Sequence, residues 1–342
     1  MDKMSERSSN LDDEQLARKR GRERIAYILC IIAQLLWAIN GIQMKSYRVI
    51  YPEYFTDNNV LFWRMLVVMI LGYVFCKIKN IHIQGYNEIK HMKWFLIRNA
   101  TAYIFILCWI KMYLFFRVST ITVIGGTTPI IVIFLSIFIL GDRFYIRYIF
   151  GIALCLIGSY IIIINDRKPE AKAQILSDNI ALGLFFGITN AVLVALSTLG
   201  QKVLTDDKMN YHLQNYYFGL FNCVPSFIFC LLYNEINFKS IAYILYAGSN
   251  GLIFYTANSI TTLAFTYIHV SKVQHISYLY IVFTFILSAI ILREPVFFTD
   301  FIGALIIIGF QYYNFIYPPG KAAPKLIEKK SNINTENEYQ LA

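Results

Sequence analysis

The sequence predicts an all-α integral membrane protein, with ten transmembrane helices arranged as two inverted five-helix repeats. Three observations lead there: a composition suited to lipid, ten apolar stretches of spanning length, and one segment that occurs twice. Of the 342 residues, 57% are hydrophobic and only 15% charged, and the mean hydropathy is +0.51. A soluble domain carries roughly 25% charge. Lipid rather than water is therefore the solvent for most of this chain.

A helix needs about 20 mostly apolar residues to cross a hydrocarbon core about 30 Å thick. Ten stretches qualify: 25–44, 60–78, 94–116, 120–140, 144–164, 180–200, 212–233, 241–267, 271–292 and 297–317. Runs such as IIVIFLSIFIL, which starts at Ile130, do not alternate apolar and polar residues as lipid-facing barrel strands do. Helices keep their backbone groups bonded internally, and the Asn, Ser and Gly within these runs stay hydrogen-bonded or small. The first run is long, follows a polar tail and ends without a small-residue cleavage site, so it is expected to remain as a helix. The tails 1–24, closing on LARKRGRER, and 318–342 are polar and read as disordered.

Charge orients the chain. Lys and Arg crowd the tails and one set of loops, from Arg18 to Arg24 and on through Lys77, Lys79, Lys90, Lys93, Arg143 and Arg147. The opposite loops hold fewer, among them Lys45, Arg48, Arg117 and Arg293. The asymmetry places the amino terminus in the cytosol, and an even helix number returns the carboxyl terminus there. The net charge of +10 then reflects cytosolic flanks against lipid headgroups. No nucleic-acid-binding motif accompanies it, so nucleic acid is not expected as a partner. Plasma and organellar membranes are not distinguished.

The six cysteines sit inside the proposed spans with no C-x-x-C pair, and the five histidines form no H-E-x-x-H. Neither a metal, a cofactor nor a catalytic cluster is expected, and the chain does not read as an enzyme.

A shift of 152 residues lays 118–151 on 270–303 without a gap. Ser119 falls on Ser271, Ser136 on Ser288, Gly151 on Gly303, and Asp142 on Glu294. The chain divides into a first repeat at 25–165, an extracytoplasmic linker at 166–179 and a second repeat at 180–317. Five is odd, so the second copy enters from the opposite side and is inverted. Inverted repeats about a midplane site allow one structure to open to either face, the geometry of alternating access.

The first copy reads FRVSTITVIGGTTPIIVIFLSIFILGDRF and, shortly after, FGIALCLIGSYI. It resembles the EamA repeat of the drug/metabolite transporter superfamily: a short connection, a proline in the fourth helix, an apolar run closing on Leu-Gly-acid, and a Gly-bearing fifth helix. LLWAINGIQMK is similar to the first-helix pattern of that family. Asp142 stands in place of the usual Glu. Ile281 stands where the second copy often has Pro, so the second half is expected to be less kinked. The resemblance implies a ten-helix transporter with a central cavity and peripheral fifth and tenth helices. It does not supply the solute.

Which residues face that cavity? Arg64, Arg98 and Lys111 are the only charges deep within the spans, whereas all 21 acids fall in tails, loops or helix ends. Each base lies about one to one and a half turns from a helix end, so its stem either snorkels to the interface or turns inward. Snorkelling is the favoured expectation for Arg98; Arg64 and Lys111 are taken as site residues. Asn40, Asn190 and Asn258, with Gln34, Ser197, Asn222 and Asn250, lie near the midplane and either bond across helices or line the cavity. Trp37, Tyr255 and Tyr278 offer rings to a solute. Lys272, Gln274 and His275 form either a basic cytosolic entrance or a solvated loop. Pro129 and Pro225 are expected to break the backbone ladder toward the cavity.

Basic groups without buried acids favour an anionic or partly anionic metabolite, moved by exchange or facilitated diffusion rather than by proton coupling. A nucleotide-sugar or phosphate-ester antiporter of internal membranes is the alternative. A non-transporting membrane scaffold or sensor is the second. A homodimer is compatible with all three.

Overall fold

The computed structural model describes residues 2–53, 55–83, 85, 88–139, 147–165, 168, 177, 179–235, 240–268 and 270–316. The side chains of residues 2–20 and of scattered positions, Pro129, Lys272 and His275 among them, lie outside the described residues, as does the whole of Asp142. Among the described residues the structure is helical and holds no strand.

In chain order come α1 (Asp2–Ile50), α2 (Asp57–Ile78), α3 (Met92–Met112), α4 (Val118–Gly125), α5 (Thr128–Ile139) and α6 (Arg147–Asn165). The second half holds α7 (Ile180–Asp206), α8 (Tyr211–Leu232), α9 (Ile241–Tyr267), α10 (Val270–Ile276), α11 (Leu279–Leu287) and α12 (Phe298–Ile316). A π-helical turn, Ser288–Leu292, extends α11. Each predicted span is helical over most of its described residues. Among those residues, six helical segments are long and apolar enough to cross a membrane: Gly21–Ile50 of α1, α2, α3, α4 and α5 taken together, α7 and α8.

Two expectations about helix ends are corrected. The tail predicted to be disordered continues α1 back to Asp2. Its LDDEQLARKR segment is rich in good helix formers and sets Glu14 four residues before Arg18, a spacing that supports a helix. At the other end α1 runs past Met44 to Ile50, so Lys45 and Arg48 belong to the helix rather than to a loop.

Helix pairing follows the repeat. α1 packs on α9 as α7 packs on α3, while α2 meets its counterpart α8 and α6 meets its counterpart α12. The α2–α8 contact is backbone to backbone. A Cβ on Gly72 would lie 2.6 Å from the Tyr216 nitrogen, and one on Gly219 would lie 2.5 Å from the Met69 nitrogen. Lipid gives helices no hydrophobic reason to associate, so this close approach at small residues is where dispersion attraction is gained.

The bundle has two unlike ends. At the Ile50 end, the chain after the π-turn adopts a left-handed backbone at Arg293 (φ 53°) and presents Glu294 to the start of α4. The Glu294 carboxylate accepts from the Val118 nitrogen at 2.9 Å, the Ser119 nitrogen at 3.4 Å and Ser119 Oγ at 3.2 Å. Those donors are the otherwise orphaned amides of a helix N-terminus, where negative charge is favoured. Beside it, Arg117 donates to Asp300 at 3.4 Å and to the Pro295 carbonyl at 2.5 Å. Asn165 donates to Asp300 at 2.5 Å. Every one of these bonds joins the first repeat to the second. Arg117, predicted to sit in a loop, is fully buried, and so are Asp300 and, at 4% exposure, Glu294. The expectation of no buried carboxylate is therefore wrong: both acids are at helix ends, as the sequence indicates, but those ends pack against the other repeat.

Candidate functional site

Both fourth-position spans are broken at matching places. α4 gives way to α5 around Gly126 and Thr127, with Pro129 in the first turn of α5. α10 gives way to α11 at Ser277 and Tyr278, within one residue of the same position shifted by 152. The second half was expected to be less kinked because Ile281 replaces proline, and the structure corrects this. Tight turns, with Tyr280 N bonded to Ser277 O and Ile281 N to Tyr278 O at 3.0 Å, make the break without one. The two breaks face each other: a Cβ on Gly126 would lie 2.9 Å from Ile281 Cδ1. Pro225, expected to break its span as well, sits inside a continuous α8.

Gly126 and Ile281 both line a cavity of about 260 Å³ between the repeats. The first repeat supplies Trp37, Asn40, Arg64, Arg98, Phe105 and Trp109; the second supplies Asn190, Gln201, Phe218, Phe254, Asn258 and Tyr278. The lining reaches Phe265, Val273 and Gln274 close to the Ile78 end. Toward the Ile50 end, Tyr113 donates from its hydroxyl to the Gly41 carbonyl at 3.1 Å and packs edge-on against Trp109.

The charged lining is entirely basic. Arg64 is 1% exposed; its Nη2 donates to Asn40 Oδ1 at 3.1 Å, while Nε and Nη1 are buried without a partner. Its guanidinium lies 4.5 Å from the Phe254 ring and 5.4 Å from Trp109. Arg98 is 2% exposed; Nη1 donates to Gln214, Nε has no partner, and the group lies 5.8 Å from Phe218. Among the described residues no carboxylate pairs with either arginine. Arg98 was expected to snorkel. It is turned inward instead, onto Gln214 of α8, where Gly200 gives α7 room to close onto α3: a Cβ there would sit 3.0 Å from Arg98 Cβ.

Of the residues singled out from sequence, Trp37, Asn40, Arg64, Asn190, Asn258 and Tyr278 come together on this one surface. Lys111 does not. It is ion-paired with Asp57 of α2, is 44% exposed, and stands apart from the cavity. Tyr255 also turns away and shares a 2.5 Å hydrogen bond with His212. Lys272 and His275 fall on α10, but their side chains lie outside the described residues. Sequence reasoning set Arg98 aside and did not single out Phe218, Phe254 or Gln201 as site residues. A glycine on a facing helix is the signal for Arg98, and it is readable only once the helices are paired.

The polar wall is ordered. Asn40 and Asn250 each donate to the backbone carbonyl of the other at 3.1 Å, tying α1 to α9. Asn258 donates to Asn215 at 2.5 Å, and Gln201 bonds Thr262. Asn190 Oδ1 remains buried without a partner. The sequence profile of the EamA-like transporter family matches residues 24–164 and 181–313. The chain belongs to the EamA-like transporter family. EamA proteins are transporters of the drug/metabolite superfamily, so this is a multi-pass membrane transporter. A solved structure, titled only as the crystal structure of a protein, has the same fold: TM-score 0.61 at 11% identity, covering 86% of this EamA chain and 96% of that one. No curated protein matches in sequence.

Proposed function

We propose that this EamA transporter carries a small organic anion by alternating access, as an exchanger or facilitator, through ten spans with both termini in the cytosol. The observation that carries the reading is the pair of buried guanidiniums on a cavity that no described carboxylate lines. A charge at bilayer depth costs about 2.5–3.5 kcal/mol or more unless compensated. The cheapest compensation here is a negative solute, since the rest of the lining is amide, hydroxyl and apolar.

Alternating access is supported by the contrast between the ends. The Ile50 end is sewn shut across the repeats by Glu294, Arg117 and Asp300, whereas the cavity lining extends toward the Ile78 end. On the proposed orientation this is a cytosol-facing conformer. The cavity is also just below the range of about 300–1,000 Å³ common for drug-sized ligands. That favours a compact metabolite over a nucleotide sugar, which carries a nucleoside, two phosphates and a hexose.

The test is exchange in liposomes containing the purified chain, preloaded with matched anionic, neutral and cationic metabolites. Exchange of anions alone, unchanged when the proton gradient is collapsed, is the expected result. Exchange confined to neutral or cationic solutes would overturn it.

A further inference from the structure

Arg64 and Arg98 are connected. The Arg64 guanidinium lies 4.5 Å from Phe254, Phe254 stacks on Phe218 at 5.3 Å with planes 26° apart, and the Arg98 guanidinium lies 5.8 Å from Phe218. Two cations are thus held at the two ends of one short aromatic stack, inside a single cavity that all four residues line. They come from different helices, α2 and α3, and each bonds a carboxamide, Asn40 for one and Gln214 for the other. Each keeps a buried N–H without a partner.

From this arrangement, and resting on the anion reading above, we infer that the transported solute carries two acidic groups, one for each arginine, at opposite ends of an apolar or aromatic body. A solute with one acid compensates one guanidinium and leaves the other unpaired in the same enclosed space. A solute with two compensates both, because each carboxylate or phosphate accepts from the free N–H groups of its own arginine. Between the acids the solute runs along the Phe218–Phe254 stack. Arg98 is near the Ile78 end of α3 and Arg64 is in the Ile50-side half of α2. On the proposed orientation, a solute from the cytosol meets Arg98 first and seats its second acid on Arg64.

The probes are succinate, adipate, suberate and terephthalate, each compared with its own monomethyl ester, which keeps the shape and removes one charge. Binding is read by thermal shift on the purified chain, and transport by exchange in liposomes. At least one diacid should bind about tenfold or more tightly than its ester, the equivalent of losing one charged hydrogen-bonded contact. That preference should disappear in Arg64→Gln and in Arg98→Gln, with the ester then binding as well as the diacid. Esters binding or exchanging as well as diacids in the unaltered chain would overturn the inference while leaving an anion transporter. Tight diacid binding that both substitutions weaken, without any exchange, would uphold the two-acid site and sink the exchanger reading. No binding of any diacid by folded protein would overturn the inference.

Discussion

Two groups of buried arginine divide this molecule between them. Arg117, at the Ile50 end, is as buried as any described residue, and it faces Asp300, which in turn accepts from Asn165 and from the Phe297 amide. Arg64 and Arg98, in the cavity, are equally buried and face amides and rings only. Burial costs both kinds of arginine their water. The first kind is compensated within the protein and holds the two repeats together. On the proposed function, the second is left for a solute that arrives from outside. Burial alone therefore does not tell the two kinds apart; the internal counter-charge does.

The contrast can be attacked from its paired side first. Asp300→Asn leaves Arg117 buried without its counter-charge, and breaking a buried pair in this way costs about 3–5 kcal/mol. Thermal unfolding in detergent should show a large fall in Tm, deeper than for any change at Glu294, Arg293 or Lys111. A loss no larger than that of a surface change would mean the cluster is hydrated. Glu294→Gln is milder, because the amide oxygen still accepts from one of the α4 donors. About 1–3 kcal/mol is expected from the weakened bonds. Since those bonds close only one end of the bundle, the variant should also make Cys residues engineered near Ser119 more reactive to an external thiol reagent. Unchanged labelling would argue that Glu294 is not part of a closure.

Smaller effects sharpen the picture. Arg293 holds a left-handed backbone at φ 53° where the first copy of the repeat has Gly141. Arg293→Gly should stabilise by up to about 1 kcal/mol, a gain visible as a raised Tm, because glycine adopts that conformation without steric cost. Lys111→Ala is the smallest. Its ion pair with Asp57 is partly exposed, and such pairs contribute about 0–1 kcal/mol. Both Tm and exchange should stay near those of the unaltered chain. Loss of exchange in this variant would put Lys111 back on the solute path.

These outcomes bear on what the sequence could disclose. The apolar helices were legible because lipid demands long apolar runs, and six of them are long and apolar enough to span among the described residues. Arg64, Trp37 and the Asn residues near the midplane were legible because polar groups at that depth are costly and few. Three features were not. The break at Ser277–Tyr278 has no proline to announce it and seats Ile281 against Gly126 of the other repeat. Arg98 is close enough to a helix end to snorkel, and its inward partner, Gln214, and the packing at Gly200 both come from the other repeat. Lys111 has no acid near it in sequence, and its partner arrives on α2. Each miss concerns a side chain whose direction is set by a helix far away in the chain.

The measurement that bears most directly on the central claim combines stability and exchange in Arg64→Gln and Arg98→Gln. If these guanidiniums are kept uncompensated for a solute, removing either should abolish anion exchange while leaving Tm unchanged or raising it, since an unpaired buried charge is a cost to the fold. A marked fall in Tm would contradict the account, because it would place the cavity arginines with Arg117 as part of the framework. So would full anion exchange in both variants.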